Sequence, residues 1–323
     1  MPPFPNNIPR VSNNATQSLV AILLCTYQGE DFLPAQLNSI ARQTHGNWKV
    51  WASDDRSKDG TRAVLNKYKQ QWGDALLSIL TGPGAGFVAN FISLACNPDI
   101  TADYYAYADQ DDVWEDDKLA RAVAWLETVP HGVPALYMSR TRLIDENDLE
   151  LGFAPLFTSK PPGFANAIVQ NIGGGNTMVM NSAARALIQA LSKDVKIVTH
   201  DWWTYILVTG AGGQAFYDPY PGVRYRQHRA NVMGSNAGLL ARLWRAILVF
   251  GGRFKSWGAI NAQSLTRVRE HLTPENRRIF DDFSAARTGW LPSRLLALKR
   301  SGVHRQGFVD NIGLYVAALF NRL

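Results

Sequence analysis

The sequence contains little cysteine and no long uninterrupted hydrophobic run. Its 323 residues include only two cysteines, Cys25 and Cys96, too few for a disulfide framework. No apolar run approaches the ~20 residues that a membrane-spanning helix needs. The Pro- and Asn-rich start also lacks the hydrophobic segment of a secretory signal. These absences argue against a secreted disulfide-rich protein and against an integral membrane protein. They predict a cytoplasmic chain with two buried free thiols.

Charge is distributed unevenly along the chain, whose net charge is +6. Residues 236–323 contain 14 Lys/Arg against five Asp/Glu, whereas the preceding part is mildly acidic. We therefore predict a flexible lead-in over residues 1–17, a folded body over 18–235 and a basic, amphipathic, helical region over 236–323. The sequence has no internal repeat and no motif typical of nucleic-acid readers, so we expect no nucleic-acid partner.

Strand-like and helix-like segments alternate from Ser18 onward. The strand-like apolar runs occupy residues 18–25, 48–53, 76–81 and 103–109. A stretch with helical spacing follows each of them, which predicts an α/β fold with helices flanking a mostly parallel sheet. Such sheets bind ligands beyond the carboxyl ends of their strands. Three polar segments follow these strands and should meet at one edge: Thr26-Tyr27, Asp54-Asp55 and Asp109 to Asp112.

The segment YADQDDVWEDDK concentrates acidic side chains within nine positions: Asp109, Asp111, Asp112, Glu115, Asp116 and Asp117. The last three mark the start of a predicted helix, whose dipole stabilises acids in its first turn. The first three follow a strand directly, and close carboxylates raise one another's pKa unless a cation compensates. Oxygen ligands suit Mg²⁺ or Mn²⁺ completed by substrate phosphates, and the spacing of an EF-hand calcium loop is absent. We therefore predict a divalent-cation site, above all at Asp109 and Asp111.

Three segments keep a specific order and spacing: LLCTYQGEDFLPAQLNSIARQT, VWASDDRSKDGT and YADQDDVWEDDK. Together with THDWW and YRQHRANVMG, they resemble the inverting family 2 glycosyltransferases, and most of all the bacterial rhamnosyltransferase-like branch. The resemblance covers roughly residues 18–235. It implies a catalytic domain of GT-A (Rossmann-like) fold, a nucleotide-diphosphate-sugar donor and a divalent metal. The Q-x-x-R-W signature of processive synthases is absent, so we expect one or a few sugar additions.

The resemblance also implies which residues form the donor side of the site. Asp109-Gln110-Asp111 would be the D-x-D element beside the donor, with Asp111 as the chief metal ligand and His228 as an additional one. The other donor-nucleotide residues would be Thr26, Tyr27, Asp54, Asp55 and Arg226. A carboxylate after a strand can accept hydrogen bonds from a pyrimidine N–H or a ribose hydroxyl, which suits Asp54. The segment DDRSKDGT could instead be only an Asp-rich turn before a helix.

The acceptor side is predicted around Asp201. Inverting transfer needs a base that takes the proton of the attacking hydroxyl, and the resemblance implies that Asp201 is this base. From spacing alone, Asp201 could equally cap the helix that it opens. Aromatic residues beside it could stack on a sugar or pack in the core, and Gly173 to Asn176 could contact a ligand or form only a tight turn. The predicted acceptor or sugar set is Asp112, Gly174, Gly175, Asn176, His200, Trp202 and Trp203.

The predicted activity is metal-dependent inverting transfer of L-rhamnose from dTDP-L-rhamnose to a bacterial surface-glycan acceptor, including a lipid-linked one. Two alternatives stay open: the same reaction with a hexose from UDP, and a catalytically silent sugar-nucleotide-binding or scaffold protein. Two interpretations also stay open for the basic C-terminal helices. They could pack on the body or on a second copy of the chain, or they could lie on anionic lipid at the inner face of the plasma membrane.

Overall fold

A nine-stranded sheet is the centre of the fold in a computed structural model that describes residues 17–192, 195–228 and 253–323. The predicted lead-in lies outside these ranges apart from Gln17, and so does the predicted boundary between residues 235 and 236. No helix within the described ranges is long and apolar enough to cross a membrane.

Parallel strands and the helices between them form the first half of the sheet. The strands are β1 (Val20–Thr26), β2 (Trp48–Asp54), β3 (Leu77–Thr81) and β4 (Tyr104–Asp109), in the spatial order β3-β2-β1-β4. The helices are α1 (Leu33–Ala41), α2 (Thr61–Trp72) and α3 (Phe87–Cys96). Every residue of β1 is buried, because helices cover both faces of a parallel sheet, and its sequence is therefore continuously apolar. The predicted alternation of strands and helices is confirmed.

The second half of the sheet contains strands of both directions. Its strands are β5 (Val113–Trp114), β6 (Ala135–Ile144), β7 (Glu150–Phe153), β8 (Val179–Asn181) and β9 (Gln214–Arg226). The order continues β4-β8-β6-β9-β5, and β7 pairs with β6. Among the described strands only β5, β7 and β8 run against the others, and each is two to four residues long. The sheet is therefore mixed but mostly parallel, as predicted.

The remaining helices of the described chain cover the sheet. They are α4 (Lys118–Leu126), α5 (Phe164–Ala167), α6 (Ser182–Leu191), α7 (His200–Gly210), α8 (Arg253–Arg267), α9 (Pro274–Thr288), α10 (Leu291–Ser301) and α11 (Phe308–Leu319). Side chains of the last four, such as Leu265, Phe280, Leu298 and Leu314, share one hydrophobic core with Tyr205 of α7. The predicted C-terminal helices thus exist and pack on the body.

The two cysteines are free thiols in the structure. Cys25 is buried at the end of β1, where burial, followed by the charges of Asp109 and Asp55, raises its pKa. Cys96 is only half-buried at the end of α3. The prediction of free thiols is confirmed, although only one of them is fully enclosed.

Candidate active site

The carboxyl ends of β1, β2 and β4 bring the predicted polar segments to one edge of the sheet. Thr26 pairs with Asp54 in the register of β1 and β2, and Cys25 pairs with Asp109 in that of β1 and β4. The Thr26 hydroxyl also donates a hydrogen bond to Asp54 Oδ1 (3.2 Å). Parallel strands end at the same edge, which is why segments 28 and 83 residues apart in sequence meet here.

Asp54 and Asp55 organise the turns at this edge. Asp54 is fully buried and accepts hydrogen bonds from the Ser57 hydroxyl (2.5 Å) and the Ser57 backbone N–H (3.2 Å). Asp55 accepts hydrogen bonds from the backbone N–H groups of Gly84 (2.5 Å) and Gly86 (2.9 Å). Both glycines have positive φ angles, which explains why glycine occupies these positions. These carboxylates therefore shape the loops after β2 and β3.

Tyr27 and Gln110 join the loops that follow β1 and β4. The Tyr27 N–H donates to Gln110 Oε1 (2.7 Å), and Gln110 Nε2 donates back to the Tyr27 carbonyl (2.8 Å). The Tyr27 side chain remains 58% exposed. Gln110 thus fixes the backbone at the edge while the Tyr27 ring stays accessible to a ligand.

The acidic cluster is crowded, with Asp112 fully buried and Asp109 and Asp111 partly buried. Burial, with smaller contributions from the charges of Asp111 and Asp201, raises the pKa of Asp109 to about 8. Burial also raises the pKa of Asp112 well above its usual value, although Asn176 Nδ2 donates to its carboxylate (2.6 Å). The Asp111 carboxylate lies 2.7 Å from His228 Nε2. Asp109 and Asp112 thus resist ionisation, whereas Asp111 has the imidazole of His228 as a partner.

The cluster fits a cation that binds together with a diphosphate. The described residues contain no group of three or more His, Cys, Asp or Glu side chains arranged to hold a metal ion alone. Asp111 and His228 are adjacent, and Asp109 is close enough for its pKa to respond to Asp111. Mg²⁺ is commonly held by one or two carboxylates and completed by substrate phosphates, which matches this incomplete ligand set. A cation here would also relieve the repulsion between the carboxylates.

Arg226 is directed into the protein rather than out of the edge. Its side chain is 1% exposed, Nε donates to the Asp111 carbonyl (2.9 Å) and Nη1 donates to the Asp145 carbonyl (3.1 Å). Its Nη2 lies 2.6 Å from Asp148 Oδ1. The Phe32 ring contacts both the guanidinium, 4.8 Å from its centroid, and the His228 ring, which stacks on it at 5.1 Å. Arg226 therefore supports the backbone at Asp111, a role that the sequence did not indicate.

The acids Glu115, Asp116 and Asp117 were predicted to lie in the first turn of a helix. They lie instead just before α4, with Asp117 at its N-cap. Each has a partner from another element: Glu115 pairs with Arg224 (2.9 Å) and Asp116 with Arg42 (3.2 Å). Asp117 is the N-cap position and accepts from the Tyr220 hydroxyl (3.0 Å). Ion pairs and hydrogen bonds across the fold, in addition to the helix dipole, thus offset their charges.

Asp201 faces the glycine-rich segment from the first turn of α7. Its Oδ2 accepts hydrogen bonds from Asn171 Nδ2 (3.0 Å) and from the Gly175 N–H (3.2 Å). Its Oδ1 accepts from the Trp202 N–H (2.7 Å). The carboxylate is half-buried, and its charge reaches Asp109. The charge of Asp201 thus links the two predicted sides of the site. The N-cap of α7 is Thr199 rather than Asp201, which instead accepts a first-turn N–H from inside the helix.

His200 lies in an aromatic enclosure beside Asp201. Its ring stacks on Phe91 with 3.9 Å between the ring centroids, and Tyr107 meets it edge-on at 4.8 Å. Neither ring nitrogen has a hydrogen-bond partner among the described residues. Burial lowers the pKa of His200 to about 4 in spite of the neighbouring Asp201 charge. A Cβ at Gly175 would come 2.5 Å from His200 Nε2, so this approach requires glycine.

The titration of His200 should appear in the acid stability of the protein. Below pH 6.5 the unfolded chain takes up a proton at this position, whereas the folded chain does so only near pH 4. The free energy of unfolding should therefore fall as the pH drops through this window, by up to about 1.4 kcal/mol per pH unit. In His200→Phe this contribution disappears, so the pH dependence flattens.

Urea unfolding at intervals between pH 4.5 and 7.5 measures this slope. His131→Asn is the matched control, because His131 is exposed. An unchanged slope in His200→Phe would show that His200 is protonated in the folded protein and would overturn the prediction.

The tryptophans after Asp201 belong to the core. Trp202 Nε1 donates to the Ala167 carbonyl (2.6 Å), and Trp203 Nε1 donates to Ser192 Oγ (3.1 Å). Both side chains are buried and offer no open face to a sugar. Of the two roles that the sequence allowed, the structure gives them core packing.

Two residues near the site, Asn171 and Lys118, were not predicted from the sequence. Asn171 holds Asp201, and its position directly before the glycines was the available signal. Lys118 is fully buried, with its ammonium 3.7 Å from the Trp114 ring centroid. Burial lowers its pKa to about 7, and the Asp112 charge opposes that shift. Nothing in the sequence distinguishes this lysine from an exposed residue at a helix start.

Comparison with solved structures identifies the fold. The fold is similar to that of S. aureus TarS residues 1–349 in complex with UDP-GlcNAc, with a TM-score of 0.53 at 14% identity over 89% of this chain and 82% of that one. It is also similar to the mannosyltransferase PcManGT from Pyrobaculum calidifontis in complex with GDP-Man and Mn²⁺, with a TM-score of 0.51 at 17% identity over 95% and 88% of the two chains. The predicted GT-A fold is confirmed.

Comparison of sequences gives the family. The model described as Glycosyl transferase family 2 matches residues 21–188, more than half of the chain, and the chain belongs to this family of glycosyltransferases. It is 28% identical over 237 residues to the dTDP-rhamnosyl transferase RfbG of Shigella flexneri, which covers 70% of this chain and 78% of that protein. It is also 28% identical to the Escherichia coli protein UDP-Glc:alpha-D-GlcNAc-diphosphoundecaprenol beta-1,3-glucosyltransferase WfgD, over 33% of this chain and 41% of that protein.

Proposed function

We propose that this enzyme transfers L-rhamnose from dTDP-L-rhamnose, with inversion, to a bacterial surface-glycan acceptor at the cytoplasmic face of the membrane. The observation that carries the reaction type is that the charge of Asp201 reaches Asp109, in the carboxylate cluster where Asp111 lies 2.7 Å from His228. The choice of sugar rests on the similarity to RfbG, which extends over most of both chains.

The donor would bind at the ends of β1, β2 and β4. Tyr27 offers an accessible ring for the base, while Thr26, Asp54 and Asp55 shape the pocket walls around it. Asp111, with Asp109 and His228, would hold Mg²⁺ or Mn²⁺ against the diphosphate. When bound, such a cation stabilises the negative charge that develops on the departing nucleoside diphosphate. Arg226 acts indirectly, by fixing the backbone carbonyl of Asp111.

Asp201 would act on the acceptor. Its carboxylate takes the proton of the acceptor hydroxyl while that oxygen attacks the anomeric carbon from the side opposite to the leaving group. Asn171 and the Gly175 N–H orient the carboxylate for this step. Asn176, at the end of the glycine segment, donates to the buried Asp112 carboxylate and so fixes the position of that segment.

A panel of nucleotides and nucleotide sugars, each with and without Mg²⁺ or Mn²⁺, tests this proposal by thermal unfolding. A ligand present at 100 times its Kd and bound only to the folded state adds about 2.7 kcal/mol to the free energy of unfolding. We expect metal-dependent stabilisation to be largest with dTDP and dTDP-rhamnose. Absence of stabilisation by every nucleotide would contradict the proposal and favour the scaffold alternative, and release of dTDP from the donor separates an enzyme from a silent binder.

A UDP-hexose is the second candidate donor. It is favoured by the similarity to WfgD, whose name specifies UDP-Glc, although the match covers less than half of either chain. In the same panel, a response led by UDP would keep the proposed site and mechanism and replace the sugar.

A further inference from the structure

Helix α11 presents an apolar face to solvent. Phe308, Ile312, Tyr315 and Leu319 recur at intervals of four, three and four residues, so they share one side of the helix. All four are exposed, with Phe308 at 81%. The opposite side packs on the core through Leu314, Ala317 and Ala318. We call these four residues the α11 stripe. The hydrophobic effect favours burial of such an apolar surface, so its exposure calls for an explanation.

An exposed aromatic side chain lies near the C-terminal end of the stripe. The Arg294 guanidinium donates both to the Gly289 carbonyl (2.7 Å) and to the Ala318 carbonyl (2.9 Å). The residues that directly follow these carbonyls, Trp290 and Leu319, are therefore close together, and Trp290 is 73% exposed.

Cations border the same end of the helix. Lys255 Nζ donates to the Asn321 carbonyl (2.9 Å), and Arg322 is exposed beside it. Residues 253–323 contain 12 Lys/Arg against five Asp/Glu. Two of those five acids, Asp281 and Asp282, are already paired with arginines. The surface around the stripe thus combines apolar, aromatic and cationic groups, as segments that lie in a lipid headgroup region do.

Two hydrogen bonds and one peptide bond connect the residues just before the stripe to Asp201. The Gln306 N–H, two residues before the stripe begins, donates to Gln170 Oε1 (2.8 Å). Asn171 follows Gln170 in the chain and donates to Asp201. The stripe therefore begins near the acceptor side of the site, where an acceptor held in a membrane would have to enter.

We propose that the α11 stripe, with Trp290, Lys255 and Arg322, docks the enzyme on an anionic lipid surface. This inference rests on the proposed function only for the nature of the acceptor. A second copy of the chain that paired with its α11 parallel to this one would bring Lys255 and Arg322 of both copies together, which disfavours that arrangement. Pairing with the two helices antiparallel is the alternative that sedimentation tests.

Vesicle flotation of the full chain tests the docking. With vesicles containing phosphatidylglycerol we expect Phe308→Ser/Ile312→Ser to lower the partition coefficient at least tenfold, because it removes two large inserted side chains. Lys255→Glu/Arg322→Glu should lower it to the level found with pure phosphatidylcholine. The matched control is Leu149→Ser/Leu151→Ser, which removes two exposed leucines of the β6–β7 hairpin.

Three results would overturn the proposal. Equal flotation of the wild-type and stripe variants would exclude the stripe as the contact. A dimer that Phe308→Ser/Ile312→Ser dissociates, seen by sedimentation, would assign the stripe to a second copy. A large fall in the melting temperature of that variant would show that the stripe is covered within the chain. Stabilisation by nucleotide and metal is measured without vesicles, so failure of docking and failure of the proposed function are distinguishable.

Discussion

Asp201→Asn is expected to lower the rate of sugar transfer by about 10³-fold, within the range that a positioned general base contributes. An amide cannot take the proton of the acceptor hydroxyl. The substitution changes only the side chain of residue 201 and no side chain on the donor side of the site. We therefore expect the affinity for nucleotide sugar and metal to stay within about twofold. Initial rates of nucleoside diphosphate release, measured with acceptor-containing membranes and the donor that stabilises the chain most, give the first quantity. Calorimetric titration gives the second.

Asn171→Ala separates a catalytic role of Asp201 from a structural one. This variant removes one hydrogen bond to Asp201 and keeps the carboxylate, so we expect a loss of about tenfold, the size of one hydrogen bond to a charged group. If Asp201→Asn loses no more activity than Asn171→Ala, and both variants merely unfold about 1 kcal/mol more easily, Asp201 only stabilises the first turn of α7.

Asp111→Asn is expected to abolish the metal-dependent part of donor binding. The carboxylate lies 2.7 Å from His228, and burial together with the charge of Asp111 raises the pKa of the neighbouring Asp109. Asp111 is therefore the carboxylate on which a cation at this edge would depend. Loss of a bound cation removes several kcal/mol of transition-state stabilisation, so the transfer rate should fall on the order of 10³-fold.

Thermal shifts with donor, at a series of Mg²⁺ and Mn²⁺ concentrations, measure the effect of Asp111→Asn. Asp116→Asn is the matched control: this exposed carboxylate lies in the same segment and pairs with Arg42 on the surface. It should change stability by less than about 0.5 kcal/mol and leave the metal dependence intact. Full metal-dependent donor binding by Asp111→Asn would show that the cation, if required, is held elsewhere.

The edge at which these residues meet was predictable because its causes are local. A continuous apolar run such as 18–25 indicates a strand buried on both faces, and the polar residues after each run then mark the strand ends. Parallel strands place those ends side by side whatever the intervening helices contain. The sequence therefore indicated the neighbourhood of Thr26, Asp54 and Asp109 without any tertiary information.

The direction in which each side chain points was not predictable in the same way. Arg226 has the chemistry of a phosphate ligand, yet its partners are carbonyls 81 and 115 residues away in sequence. Trp202 and Trp203 neighbour Asp201 in the chain, but helix geometry turns their rings into the core while the carboxylate faces the glycine segment. These outcomes depend on contacts between distant segments, and no local pattern records them.

The sequence by itself determined the strand–helix alternation, the family and the set of acids from which a metal ligand and a base must come. Periodicity and motif spacing are properties of short stretches, so they can be recognised without knowledge of the fold. Only the tertiary structure decided that the charge of Asp201 reaches Asp109, that His200 is enclosed by aromatic rings and that the α11 stripe is exposed. Burial and charge at those positions are set by neighbours that the chain brings together from far apart, and burial is what changes the chemistry of a side chain.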